Sequence, residues 1–329
     1  MSQLFFKILS WVWFIPFGFY KEPLKKSRVI PHPLAPRNLR DLILNKMMFP
    51  DNILRAVVAD KIATRGWVEE KLGIKYLVPL YDICETAQDL QIHKYPLPCV
   101  IKSNHASTQV RLVKQKSDFN NLVTEATDWL SKEYEPKKEW VYRDIKPRLL
   151  VEKMLLDDAG NLAADIKIHC FFGEPVLIIR HATLETSDGS REIVRHFMSP
   201  QWEKLDIVKE YQSKTPAPPV PDCLEEMLAI TRKLSADFDY IRVDLYLCKG
   251  SIYVGELTNF YLAGSLLFTP LEYDTYLLSE YHRMRDAKIS TLRAKYADTG
   301  AALIVNADSP PAKVSNYPYV SSCSELSDV

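Results

Sequence analysis

Tyr240-Ile-Arg-Val-Asp-Leu-Tyr246, with Ile252-Tyr-Val-Gly-Glu-Leu257 close behind it, reads as a β-hairpin turned by Lys249-Gly250-Ser251. Asp244 and Glu256 sit one on each run, among apolar neighbours. Side chains alternate along a strand, so the length of the loop decides which faces the two acids share. A three-residue loop puts both on one face; a two-residue loop separates them. Lys249-Gly250-Ser251 gives the first case, and the two carboxylates are expected side by side. Paired carboxylates on one sheet face are costly without a cation between them, and hard oxygen ligands favour Mg²⁺ over zinc.

The chain has 329 residues, and its acidic and basic residues cancel to a formal charge of zero. That length suits two or three ordinary domains or one composite enzyme fold. The balance gives no basic groove for nucleic acid. Six cysteines are scattered without a Cys-x-x-Cys pair, which argues against zinc and for a reducing compartment. Leu4 to Tyr20 is almost wholly apolar and aromatic, and Lys21, Lys25, Lys26 and Arg28 follow it. The run is short for a bilayer span and is broken by Pro16. Residues 4–28 therefore suit either peripheral contact with an anionic membrane surface or a helix docked on the domain.

Residues 1–36 form an apolar N-terminal extension ending in the linker Pro31-His-Pro-Leu-Ala-Pro36. Leu39 to Lys75 reads as mostly helical, with Asp60 capping a helix from Lys61 to Leu72 that stops at Gly73. Strands are expected at Tyr76–Leu80, Pro98–Lys102 and Val110–Val113, with a helix from Ser117, its cap, to Tyr134. A second part, residues 148–290, opens with the strand Arg148–Leu155. Asp165-Ile-Lys-Ile-His-Cys170 alternates strictly, so Asp165, Lys167 and His169 share a face, and Phe172-Gly173-Glu174 turns it into Val176–Arg180. A strand over Arg191–Phe197, a helix over Asp222–Asp237 and the acidic hairpin follow, and 291–329 reads as a disordered tail. Helices and antiparallel hairpins in clusters make this an α+β protein.

Lys102 ends an apolar strand just before the small-residue loop Ser103-Asn-His-Ala-Ser-Thr-Gln109, an arrangement suited to holding polyphosphate. Lys167, between Asp165 and His169, is a second candidate phosphate contact. Glu152-Lys153-Met154-Leu155 ends a buried strand where backbone amides can read an adenine edge, with Asp157 or Asp158 reaching a ribose. Taken singly, each of these residues is an ordinary surface or turn position.

Their order carries more. Asp60-Lys61 with Arg65-Gly-Trp-Val-Glu-Glu-Lys-Leu-Gly73, Val100-Ile-Lys102-Ser-Asn104-His105, Glu139-Trp140-Val-Tyr142, Lys146-Pro147-Arg148, Asp165-Ile-Lys167, Phe172-Gly173-Glu174-Pro175 and Trp202-Glu-Lys-Leu205 come first. Glu226-Met227, Arg242-Val-Asp244-Leu-Tyr246 and Gly255-Glu256-Leu-Thr258 complete the series. The whole, over roughly residues 40 to 285, resembles the TupA-like branch of the ATP-grasp superfamily, associated with teichuronopeptide and other surface-polysaccharide biosynthesis.

The resemblance implies two α+β lobes, over residues 37–147 and 148–290, whose antiparallel sheets clamp ATP. It implies that Lys61 and Lys102 contact the phosphates while the loop carrying Asn104, His105, Ser107 and Thr108 closes over them. Glu152, Lys153, Met154 and Leu155 would form the adenine hinge, with Asp158 and Lys167 as further nucleotide contacts. Asp244, Glu256 and Thr258 would hold Mg²⁺, and Arg242 would face the transferring phosphoryl group. The implied chemistry is attack of a carboxylate on the γ-phosphate and opening of the acyl-phosphate by an amine, in a cytoplasmic enzyme acting on a glycan precursor. Alternatives are phosphorylation of a saccharide hydroxyl at the same site, or a binding module without turnover. The sequence departs from the family where its loop, usually Asn-His-Gly-Ser-Gly, here lacks glycine, and where Thr258 stands in the position of an asparagine common in related enzymes. Thr183 to Pro221, the expected acceptor region, holds no readable motif.

Overall fold

The computed structural model describes residues 29–131, 139–185, 191–207, 216–265 and 267–304. Contacts divide the chain at Arg285/Asp286 into two compact units, and both sheets lie in the first. Leu4–Tyr20 lies outside the described residues, and among those described no helix is long and apolar enough to cross a membrane.

Three helices open the described chain: α1 (Leu39–Met48), α2 (Leu54–Ala59) and α3 (Lys61–Leu72). Asn38 caps α1 through the Asp41 amide at 2.9 Å. Asp60 caps α3 through the Ile62 amide at 2.8 Å, and Gly73 ends it with a φ of 92° that favours glycine. Strand β1 is Leu80–Cys84 rather than Tyr76–Leu80, because Ile74–Tyr76 winds into a 3₁₀ turn straight after that glycine. With β2 (Cys99–Ser103), β3 (Val110–Val113) and β4 (Leu149–Lys153) it forms an antiparallel sheet in the order β1-β4-β2-β3. Helix α4 spans Leu122–Ser131 and lays Leu122, Ala126 and Trp129 on that sheet, against Ile101 and Val151. Ser117 does not cap it: 116–119 is a 3₁₀ turn closed by Asp118 onto the Lys114 and Gln115 amides, and Asn121 breaks the helical path with a φ of 64°.

The second sheet has the order β7-β6-β5-β8-β9, all antiparallel, from β5 (Ala164–Phe171), β6 (Glu174–Glu185), β7 (Arg191–Met198), β8 (Tyr240–Cys248) and β9 (Ser251–Thr258). The β5–β6 turn is Phe172-Gly173, as expected, both residues in the left-handed region. Helix α5 (Leu224–Ser235) covers one face, packing Met227, Ile230 and Leu234 onto Ile168, Ile241 and Val243. Each fully buried side chain of this size contributes about 1.5–3 kcal/mol. On the other face Phe171, Leu177, Ile179 and Phe197 pack under α1 and Leu277 and Leu278 of α6 (Leu271–Ile304), and polar side chains occupy the rest. That last helix continues past 291, so the expected tail is helical as far as Ile304.

Candidate active site

The acidic hairpin differs from its expected form in one instructive respect. Its loop has two residues, Lys249 and Gly250, with φ of 52° and 76°, and Ser251 already pairs with Cys248. Two-residue loops of this left-handed kind match the twist of the flanking strands. Counting back from such a loop should leave Asp244 and Glu256 on opposite faces. Yet Asp244 pairs with Glu256, because the register shifts between Leu245–Val254 and Asp244–Glu256 and leaves Gly255 as the extra residue of a bulge. A Cβ on Gly255 would lie 2.7 Å from the Tyr246 ring, so glycine is the residue that fits beneath it. The apolar spacing records the bulge: Ile252, Val254 and Leu257 all enter the core, two apart and then three.

With that register, three strands set their polar side chains in rows. Lys167, Asp244 and Glu256 form one row, and His169, Arg242 and Thr258 the next. Arg242 reaches Asp244 with two parallel bonds, Nε to Oδ1 and Nη2 to Oδ2, both 2.6 Å. Its Nη2 also donates to Thr258 Oγ1 at 2.9 Å and lies 3.5 Å from Glu256 Oε1, while Thr258 Oγ1 donates to Glu256 Oε1 at 3.1 Å. Lys167 Nζ bridges Asp165 at 2.9 Å and Asp244 at 2.8 Å. Burial opposes ionisation of Asp244, but Arg242 and Lys167 overcome it and hold the acid below its ordinary range. Asp165 goes the other way: burial raises it despite Lys167. Burial also works against the Arg242 charge, and Asp244 more than offsets it. The Arg242 guanidinium rests 5.4 Å over the Tyr261 ring.

The other sheet supplies a cluster dominated by cations. Lys102 Nζ meets Glu152 Oε2 at 2.6 Å, and Arg65 Nη1 takes Glu152 Oε1 at 3.0 Å. Lys61 Nζ donates to the Ala106 carbonyl at 2.6 Å. Burial first, and then the neighbouring Lys102, depress the Lys61 amine, although Glu256 pulls the other way. Glu256 belongs to the acidic row and Lys102 to this cluster, so the Lys61 amine feels the charge of both. A cavity of about 330 Å³ adjoins them, lined by Lys102, Glu152 and Asp165 together with the apolar Met154, Leu112 and Leu162. Arg65 is not a predicted site residue, yet its helical spacing of four from Lys61 puts it on the same face of α3.

The remaining candidates sit in varied surroundings. Asp158 pairs with Lys249 on the outer hairpin turn at 2.9 Å and is not among the cavity residues. The Lys153 and Met154 amides donate to the carbonyls of Pro79 and Pro98, at 2.9 and 3.3 Å, and both residues line the cavity together with Glu152 and Leu155. Ser107 and Thr108 are exposed, while Asn104 and His105 are buried, Asn104 bonding to Asp60, Lys146 and Arg148. No residue from 103 to 109 has a positive φ, so the loop takes this conformation without glycine.

The donors at Asp244, Glu256 and Thr258 fit Mg²⁺, which takes hard oxygens from one or two carboxylates where phosphates and water complete its shell. Among the described residues no three His, Cys, Asp or Glu side chains converge as a metal group, so the protein alone would not fill that shell.

Solved structures of similar shape include D-alanine–D-alanine ligase from Bacillus anthracis, at 16% identity and a TM-score of 0.43, covering 74% of this chain and 69% of that one. The ligase of the same name from Helicobacter pylori gives 16% and 0.38, covering 68% and 61%. Phosphoribosylamine–glycine ligase from Thermotoga maritima gives 11% and 0.36, covering 63% and 48%. Among curated proteins nothing matches the chain. The fold is the ATP-grasp fold, built of helices and two antiparallel sheets. Residues 39–282 match the family described as TupA-like ATPgrasp, and the chain belongs to that family.

Proposed function

We propose that this protein is an ATP- and Mg²⁺-dependent carboxylate–amine ligase that modifies a surface-polysaccharide or other glycan precursor. The observation that carries the reading is the Arg242–Asp244–Glu256–Thr258 ladder beside a largely apolar cavity lined also by Lys102. The apolar walls suit a nucleobase, and the lysines suit the phosphates behind it. Lys61 and Lys102 would hold the polyphosphate, and Arg242 would neutralise charge on the γ-phosphoryl oxygens as a substrate carboxylate attacks. The bond to the leaving ADP breaks as the acyl-phosphate forms. An amine then adds to the acyl carbon and expels inorganic phosphate, leaving an amide. Mg²⁺ held by Asp244, Glu256 and Thr258 would supply further charge neutralisation at the phosphates. A loose, anionic transition state of this kind is stabilised by positioning and electrostatics, without a covalent protein intermediate.

Residues 4–28, apolar and aromatic and then basic, support a place for the enzyme at the inner face of an anionic membrane. The test of the reaction is product analysis: full-length protein with ATP, Mg²⁺, a panel of carboxylated saccharides and a panel of amines, followed by mass spectrometry. The ligase yields ADP, inorganic phosphate and an amide. A phosphomonoester without free phosphate makes it a saccharide kinase, and nucleotide binding with no ADP across the panel makes it a binding module.

A further inference from the structure

Asn104 opens the loop between β2 and β3, and every place on its carboxamide is taken. Nδ2 donates to Asp60 Oδ1 and to the Lys146 carbonyl, both at 3.0 Å. Oδ1 accepts from the Arg148 amide at 2.8 Å and lies 3.3 Å from His105 Nδ1. A carboxamide offers two donors and two acceptor positions, so nothing remains for a ligand. Its orientation is fixed by chemistry: the partners of Nδ2 only accept, and the Arg148 amide only donates. The backbone is engaged too, Asn104 N donating to Arg148 O at 3.0 Å and Asn104 O accepting from Lys61 N at 3.2 Å. The residue is 0% exposed.

Its partner Asp60 is the α3 cap, so one carboxylate serves both the start of that helix and the base of the loop. Helix α2, just before Asp60, is tied in turn to the other sheet. Arg55 Nη1 donates to the Tyr240 carbonyl at 2.8 Å, and the Arg55 carbonyl accepts from Asn259 Nδ2 at 2.9 Å. Those contacts bracket Arg242 and Thr258, whose strands begin at Tyr240 and end just before Asn259. Asp51 and Asp239 neutralise the buried guanidinium, at 2.8 and 2.5 Å. A continuous strut thus runs from the end of β9 through Arg55, α2, Asp60 and Asn104 to the start of β4.

We propose that Asn104 and Asp60 are positioning residues, a clasp that presets Lys61 and the 104–109 loop against Arg242 and Glu256, and that neither touches the nucleotide. This rests on reading Lys61 as a phosphate-facing cation. The clasp explains why a loop meant to receive an anion has its first side chain buried and saturated. What the loop offers a ligand begins after Asn104.

The test is calorimetric titration of full-length protein with AMP-PNP and Mg²⁺. Asn104→Leu and Asp60→Ala should each weaken binding about tenfold, the size of losing a hydrogen bond to a charged group. The double variant should be no worse than either single change, because both break one unit. Asp60→Asn should stay near wild type, since its Oδ1 still accepts from Ile62 and Asn104. Breaking the clasp should also free Lys61 towards solvent, moving the pH dependence of its labelling by an amine reagent upward. Additive losses, or Asp60→Asn as poor as Asp60→Ala, overturn the clasp, as does an unaffected Asn104→Leu beside a weakened Lys61→Ala. Unchanged affinity in Lys61→Ala overturns the parent reading and this one with it. Should Asn104→Leu fail to fold, Asp60→Ala against Asp60→Asn carries the same comparison.

Discussion

The two sheets carry clusters of opposite electrostatics. On the four-stranded side Lys102 and Arg65 share a single carboxylate, Glu152, and Lys61 bonds the Ala106 carbonyl. On the five-stranded side Asp165, Asp244 and Glu256 outnumber Lys167 and Arg242. On the proposed reading a polyphosphate would be drawn to the first and a divalent cation to the second, so that a nucleotide and its metal would be held from opposite sides. The clusters also differ in construction. The acidic ladder comes from neighbouring strands in register, whereas the basic cluster joins a helix to strands, and Arg65 lies 87 residues from Glu152. A ladder is anchored by its sheet, while a helix-borne cation needs a separate device to keep it in place.

The largest effect should come from breaking the acidic side. Asp244→Asn leaves Arg242 and Lys167 without their shared counter-ion at a position 2% exposed. Removing one partner from a buried pair costs about 3–5 kcal/mol. Thermal melts should drop steeply, and Mn²⁺ binding, used as a spectroscopic probe for Mg²⁺, should be lost. A variant as stable as wild type would mean that the ladder is not a coupled unit.

On the basic side, Lys102→Ala should weaken AMP-PNP binding by about 1.5–3 kcal/mol, roughly ten- to a hundred-fold, with the fold intact. Unchanged affinity would remove Lys102 from the phosphate site.

Asp165 sharpens the contrast within the ladder itself. Asp244 is held below its ordinary pKa, so the stability it contributes is complete above that value and is lost as pH falls through the folded pKa. Asp165 is raised, so the unfolded chain gives up its proton first, and stability from this group falls as pH rises from the ordinary carboxylate value through the folded one. Asp165→Asn should therefore change stability at neutral pH by no more than about 1 kcal/mol, and in the stabilising direction. Melts at pH 4 and pH 7 should show the gain only at the higher pH. A loss as deep as that of Asp244→Asn would show the two acids to be equivalent.

The smallest effect is expected at Glu152. Glu152→Gln frees Lys102 and Arg65 from their internal anion, and AMP-PNP binding should tighten by about 1 kcal/mol or less, more visibly at low salt. Weaker binding would make Glu152 a direct nucleotide contact instead.

What the sequence disclosed follows the same division. Asp60 and Gly73 mark the ends of α3, and strict alternation over Asp165–Cys170 gives the β5–β6 hairpin, because caps and alternation are local signals. Asp244 and Glu256 share a face as expected, although through a bulge rather than a longer loop. The step from Val254 to Leu257 carries that information, and a reading from the loop alone passes over it. The partners of Asn104, of the hinge amides and of Asp158 are not legible in the sequence for one reason: a residue's type gives its bonding capacity, but its partners come from distant segments. The Asn104–Arg148 bond spans 44 residues, and nothing near Asn104 announces it.

The bulge at Gly255 makes the hairpin an exchangeable frame. Its tip counts in one frame and its chemical end in the next, with a single residue absorbing the difference. Moving that residue from bulge to tip, by inserting one amino acid between Lys249 and Gly250 while deleting Gly255, would leave every cross-strand partner of β8 unchanged. Chain length along this ribbon can therefore drift between its outer turn and its reactive end without disturbing which acids stand together, and an alignment of such chains would register as two indels what the molecule treats as none.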